Sequence, residues 1–116
     1  MPIIRVLQNS MIVVNIKNIY GILNGTCNYI LTKMKENKIS FKKALKDAQK
    51  LGFAEADPHD DISGTDTAYK LSILSNLVFN INSKFSNIYI EGIQCIEEID
   101  INMSDKLGYR IVLLGI

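Results

Sequence analysis

The chain has 116 residues, enough for one core, with 47% hydrophobic residues, the ordinary share for a globular protein. Thirteen basic against twelve acidic residues leave a formal charge of +1, which removes the electrostatic footprint expected of a nucleic-acid binder or of a protein drawn to an anionic membrane. No apolar run approaches the ~20 residues of a spanning helix, the start MPIIRVLQNS has no signal-peptide pattern, and two cysteines make no disulfide framework, so the expected setting is a reducing cytoplasm.

Pro2 to Gln8 reads as a short helix with proline at its first position. From Ile12 to Leu23 the β-branched residues Ile12, Val13, Val14, Ile16, Ile19 and Ile22 predict a strand, interrupted near Lys17-Asn18. Asn24-Gly25 signals a turn, and Thr26 is read as the N-cap of a helix to Glu36, with Tyr29, Ile30 and Met34 at helical spacing. Ser40 is read as the next N-cap, followed by the stripe Phe41, Ala44, Leu45, Ala48 and Leu51 and closed by Gly52.

An acidic stretch comes next, then a helix reaching about Phe79 with the stripe Ala68, Leu71, Leu74 and Val78. Asn80 to Ser86 reads as loop, and Ile88, Ile90 and Ile93 as a strand with Gly92 as a bulge. Asn102 to Leu107 suggests a short helix and Tyr109 to Leu114 a last strand. The order predicts an α+β fold, a small open sheet with helices packed on one face, in one domain over residues 1–116. A strand running to the last residue suggests a chain cut from something longer.

The stretch Glu55 to Lys70, EADPHDDISGTDTAYK, carries the chemistry. Glu55, Asp57, Asp60, Asp61 and Asp66 lie close together with the single histidine, His59, and such a group repels itself unless a cation sits among it. Bland explanations exist for single members. Asp66 and Lys70 are spaced for an exposed i,i+4 ion pair, worth ~0.3–0.5 kcal/mol. Ser63-x-x-Asp66 fits a capping box, and Asp57-Pro58 fits an N-cap with a first-turn proline. None of these covers Glu55, Asp60 and Asp61 together.

A metal site is one alternative, but Ile62 stands where a calcium loop needs glycine, and one histidine does not make a zinc site. Cys27 as a nucleophile lacks a nearby base and reads better as a small buried residue. The remaining alternative is a pocket for a small molecule with a cationic amino group, held by carboxylates, with Lys70 facing the reacting oxygen. Lysine does acid–base work when its pKa is brought toward neutrality.

The segment Ala48 to Lys70 also resembles the signature of the homoserine dehydrogenase family, with Ala48, Gly52, Phe53, Ala54, Asp57-Pro58, Asp61, Ile62, Gly64, Asp66 and Lys70 in place. Tyr20 to Met34, Glu91-Gly92-Ile93 and Leu107-Gly108-Tyr109-Arg110 resemble flanking family segments, so the similarity runs nearly end to end. Phe53 stands where many members have tyrosine.

The resemblance implies the catalytic, substrate-binding and dimerisation domain of an NAD(P)-linked enzyme that interconverts L-homoserine and L-aspartate 4-semialdehyde. Lys70 matches the catalytic lysine. Glu55, Asp61 and Asp66 match carboxylates at the substrate, Thr26 lies near substrate, and Asn24 and Gly25 lie near the nicotinamide. It implies an NAD(P) cofactor held mainly by a Rossmann domain, whose Gly-x-Gly-x-x-Gly loop these 116 residues lack. It also implies a second active-site lysine outside this segment and a homodimer paired through the sheet. The other reading is a non-catalytic domain serving binding or assembly.

Overall fold

The computed structural model describes residues 2–10, 15–82 and 84–116. Among the described residues six α-helices succeed one another: α1 (Pro2–Ser10), α2 (Gly25–Asn37), α3 (Phe41–Lys50), α4 (His59–Ile62), α5 (Thr65–Phe79) and α6 (Glu98–Lys106). One 3-10 turn, Phe85–Asn87, lies between the last two.

Helix α2 is the centre of the core. Its face Cys27, Ile30, Leu31 and Met34 is buried against Ala44 and Ala48 of α3, with Ala54, Ile93 and Ile101 closing the cluster. The two alanines let the backbones of α2 and α3 approach, as small residues at a helix contact do. The sequence stripe of α3 is therefore only partly a core stripe. Phe41 and Leu45 are partly buried against the cluster, and Leu51 is exposed beyond the helix end. Ser40 caps α3 as expected, accepting from the Lys43 N–H, and Gly52 takes the left-handed conformation (φ 77°) past the end. The α5 stripe is fully realised: Ala68, Leu71, Leu74 and Val78 are all buried, and α1 packs along α5.

Two helix starts differ from expectation for the same reason. Helix α2 begins at Gly25, capped by Asn24, whose Oδ1 accepts from the Cys27 N–H at 2.8 Å; Thr26 is the second residue inside the helix. Asparagine is at least as good a cap as threonine, so the earlier candidate takes the position. Helix α6 begins at Glu98 rather than Asn102, because Asp100 accepts from the Glu97 N–H at 2.8 Å and gives the chain an earlier start.

The expected strands are the part of the fold that the described residues do not confirm. The small open sheet does not form among the described residues. Pairing there consists of one antiparallel bridge between Gly21 and Gly115, with N–H to carbonyl distances of 3.0 and 2.9 Å. Residues 88–93 and 109–114 form no ladder, and Ile12 to Val14 of the first expected strand lie outside the described residues. β-branched composition disposes a segment to extended backbone, but a ladder needs a neighbour in register, and composition does not supply one.

Nor is Gly92 a bulge. A Cβ there would run into the Ile62 carbonyl oxygen and lie 2.7 Å from the Ser63 Cα, while the neighbouring Ile93 N–H donates to the Ile62 carbonyl at 2.8 Å. The glycine exists so that residues 91–93 can lie directly on the turn between α4 and α5. Gly64, in that turn at φ 85°, is constrained in the same way: a Cβ would stand 3.0 Å from the Glu91 carbonyl oxygen. These two contacts hold in place the start of α5, the helix that carries Asp66 and Lys70.

Candidate active site

Helix geometry brings Lys70 back onto Asp66, one turn earlier on α5. Lys70 Nζ donates to Asp66 Oδ2 at 2.8 Å and to the Leu23 carbonyl at 3.1 Å. The ion pair of the bland reading is thus present, but it is not isolated. Asn24 Nδ2 donates to the same Asp66 Oδ2 at 2.9 Å and to Asp61 Oδ1 at 2.7 Å. Asp61, at the end of the short helix α4, also accepts the Cys27 thiol at its carbonyl, 3.0 Å away. One lysine, two carboxylates and one amide therefore meet where the turn before α2 faces the turn between α4 and α5. The pair is reachable, with side-chain exposures of 37% for Lys70 and 31% for Asp66.

The capping-box reading of Asp66 does not hold. Gly64 occupies the N-cap of α5 with no side-chain bond, and the Ser63 hydroxyl pairs instead with Thr65 Oγ1 at 2.8 Å. Asp66 accepts instead from Lys70 one turn on and from Asn24 across the fold. Burial pushes the Asp66 carboxyl up, but the hydrogen bonds from Lys70 and Asn24, with the Lys70 charge, outweigh it and hold the group below the usual carboxylate range.

The other candidates stand at different places. Thr26 Oγ1 donates to the Phe53 carbonyl at 2.9 Å, tying the first turn of α2 to the segment that leads into the acidic stretch. Phe53 itself stacks on Tyr29, ring centroids 4.6 Å apart. Glu55 is exposed, and its carboxylate has no partner among the described residues; its carbonyl is held by Gln49 Nε2 at 3.0 Å. Gly25 is exposed with open space around its Cα. Asp57 accepts from the His59 N–H at 3.3 Å, a local turn bond two residues on, and Asp60 and His59 are exposed. Among the described residues no group of three or more His, Cys, Asp or Glu side chains could hold a metal ion. A groove of about 580 Å³, lined by Lys17, Tyr20, Leu71, Phe79 and Ile116 among others, includes neither Asp66 nor Lys70.

Asn24 is the member whose part no local pattern revealed. It is only 3% exposed, and its two long contacts span 37 and 42 residues. The Asn-Gly pair marks a turn in sequence; that the amide would face two carboxylates is a matter of tertiary packing.

Cys27 behaves as the bland reading has it. It is fully buried, and burial, reinforced by the charges of Asp61 and Asp66, pushes its thiol up to about 12. A thiolate is the reactive form, so Cys27 is expected to resist alkylation at neutral pH while the exposed Cys95 reacts. Brief treatment of the folded chain with iodoacetamide, read by peptide mass spectrometry, checks this; equal labelling of both cysteines before denaturation would contradict the burial.

A family model described as homoserine dehydrogenase matches residues 2–116. The chain belongs to the homoserine dehydrogenase family. Homoserine dehydrogenase of Helicobacter pylori is 50% identical over 115 residues, covering 99% of this chain and 27% of that protein. The Methanocaldococcus jannaschii homoserine dehydrogenase is 44% identical, again over 99% of the chain but 34% of its own length. Among solved structures, a homoserine dehydrogenase from Thiobacillus denitrificans superposes with a TM-score of 0.94 at 45% identity, over 99% of this chain and 27% of that one. A hyperthermophilic archaeal homoserine dehydrogenase mutant, in complex with NADPH, superposes at 0.73 with 35% identity, over 84% and 30% of the two chains. The chain thus spans about a quarter to a third of the homoserine dehydrogenases it matches, and its fold is that of the corresponding part of them. No helix among the described residues is long and apolar enough to cross a membrane.

Proposed function

We propose that this chain is the catalytic and substrate-binding domain, residues 1–116, of an enzyme that interconverts L-homoserine and L-aspartate 4-semialdehyde with NAD(P), in the cytoplasmic synthesis of threonine and methionine. The observation that supports it most is the meeting of Lys70, Asp66 and Asp61 through Asn24, because every one of these but Asn24 belongs to the family signature in the sequence. An amino-acid substrate brings the ammonium that two carboxylates and one lysine leave unmatched. In this reading Asp61 and Asp66 bind that ammonium, Lys70 takes and returns the proton of the reacting oxygen, and Glu55, with an unengaged carboxylate, swings in as a further substrate contact. Thr26 holds the edge of the site through Phe53 and contacts substrate, and the exposed Gly25 faces the nicotinamide, with the buried Asn24 beneath it.

NAD(P) supplies the hydride acceptor when bound, and a dinucleotide-binding domain holds it. The residues here fit only one end of such a cofactor: Gly25 leaves room for close approach, but no phosphate-cradling glycine loop exists in the 116 residues. The extended segments around Gly21, 88–93 and 109–115 are read as the strands of a small sheet completed in a homodimer. Tyr20, Tyr89, Tyr109 and Ile116, each more than 70% exposed, are side chains such an assembly would cover.

The test is a fusion of this chain to the dinucleotide-binding domain of a homoserine dehydrogenase, assayed for homoserine-dependent reduction of NADP, beside calorimetry of NADPH with the 116-residue chain alone. The fusion is expected to turn over and the chain alone to show no micromolar affinity, since hydride transfer needs the nicotinamide held against the substrate carbon. A folded fusion without activity would refute the catalytic assignment and favour a binding or assembly module.

A further inference from the structure

We propose that Asn24 is the positioning residue of this site: its side-chain amide sets the Asp61 and Asp66 carboxylates side by side and leaves one oxygen of each available to a cationic ligand. The inference rests on the function proposed above for the identity of that ligand, but not for the placement itself.

Asn24 is buried, and its polar atoms are distributed with little to spare. Oδ1 accepts from the Cys27 N–H at 2.8 Å. An amide nitrogen has two hydrogens, and both are used, one on Asp61 Oδ1 at 2.7 Å and one on Asp66 Oδ2 at 2.9 Å. Its own carbonyl accepts Asn28 Nδ2 at 2.9 Å. Capping alone needs only the first of these bonds, and serine or aspartate would provide it as well.

What asparagine adds is a neutral double donor between two like charges. It satisfies both carboxylates without cancelling either. With Lys70 on Asp66, the group keeps one uncompensated negative charge, the complement of a single ammonium. The amide engages Asp61 Oδ1 and Asp66 Oδ2, and Asp61 Oδ2 and Asp66 Oδ1 have no partner among the described residues. The preceding residue extends the same control to the lysine, because the Leu23 carbonyl accepts from Lys70 Nζ at 3.1 Å. One turn, Leu23-Asn24, thus holds all three charged groups in register.

Asn24→Ser and Asn24→Ala separate positioning from capping. Serine keeps a cap acceptor and loses both donors; alanine loses all three side-chain bonds. Three readouts are taken: thermal stability, the Asp66 carboxyl titration by NMR in the 116-residue chain, and kcat/KM in the fusion. Asn24→Ser is expected to retain more stability than Asn24→Ala, yet to show an Asp66 midpoint raised toward the usual carboxylate range. Its kcat/KM is expected to fall ~10–100-fold, the scale of a lost hydrogen bond to a charged group. An unmoved Asp66 midpoint in Asn24→Ser would overturn the proposal, as would recovery by serine of the kcat/KM that alanine loses. An inert parent fusion would refute the function reading instead, and the Asp66 titration would still decide the placement.

Discussion

Lys70→Ala, made in the active fusion, is expected to lower kcat by ~10²–10⁴-fold, the usual cost of a lost general acid or base. The expectation has a geometric basis. Lys70 is held at its ammonium by two acceptors, the Leu23 carbonyl and Asp66, so its head group has a defined place beside the two carboxylates. Its side chain is 37% exposed, and an ammonium with two acceptors has a third hydrogen to offer a substrate oxygen. The fold is expected to survive, since alanine is the best helix former and the lost pair is partly solvated. Circular dichroism and the melting temperature of the variant check that the loss is chemical. A Lys70→Ala fusion with full kcat would remove lysine from the mechanism and leave the Asp66 pair as a structural contact.

Asp66→Asn is expected to raise KM by ~10–100-fold with a smaller effect on kcat, because a bond between a carboxylate and a substrate ammonium is common to ground and transition states. Had Asp66 been a capping residue, asparagine would have served equally well; Gly64 holds that position, and the carboxylate points at Asn24 and Lys70 instead. Stability against pH gives a second measurement. Although burial raises the Asp66 carboxyl, the bonds from Lys70 and Asn24 depress it overall. A depressed carboxyl contributes stability that is fully present above its unfolded pKa and is lost as pH falls through the folded value. The parent chain is therefore expected to lose melting temperature below the usual carboxylate range more steeply than Asp66→Asn. Parallel pH dependences, with KM unchanged, would show that Asp66 is neither paired in solution nor in contact with substrate.

The acidic signature, the α3 and α5 stripes and the four-residue step from Asp66 to Lys70 all depend on periodicity within one helix or on a short run of residues. Local backbone geometry converts such spacing directly into a shared face, so these features were legible in order of residues alone. Ser40 and Gly52 were legible for the same reason, since a cap is a bond to the next turn.

Three things were decided by packing. Asn24 meets Asp61 and Asp66 across 37 and 42 residues, beside an α4–α5 turn on which residues 91–93 pack closely enough that a Cβ at Gly92 would collide with it. The Leu23 carbonyl meets Lys70 across 47 residues of chain. And the segments rich in isoleucine remained without a ladder among the described residues, because a strand is a relation between two segments, whereas a helix closes its hydrogen bonds within itself. The sequence by itself determined the longer helices, the charges and the family, but not the short helix α4 or the starts of α2 and α6. Where the charges meet, and which neutral side chain keeps them apart, was decided by the tertiary structure, because an amide's two hydrogens find their acceptors only after distant turns have been brought face to face.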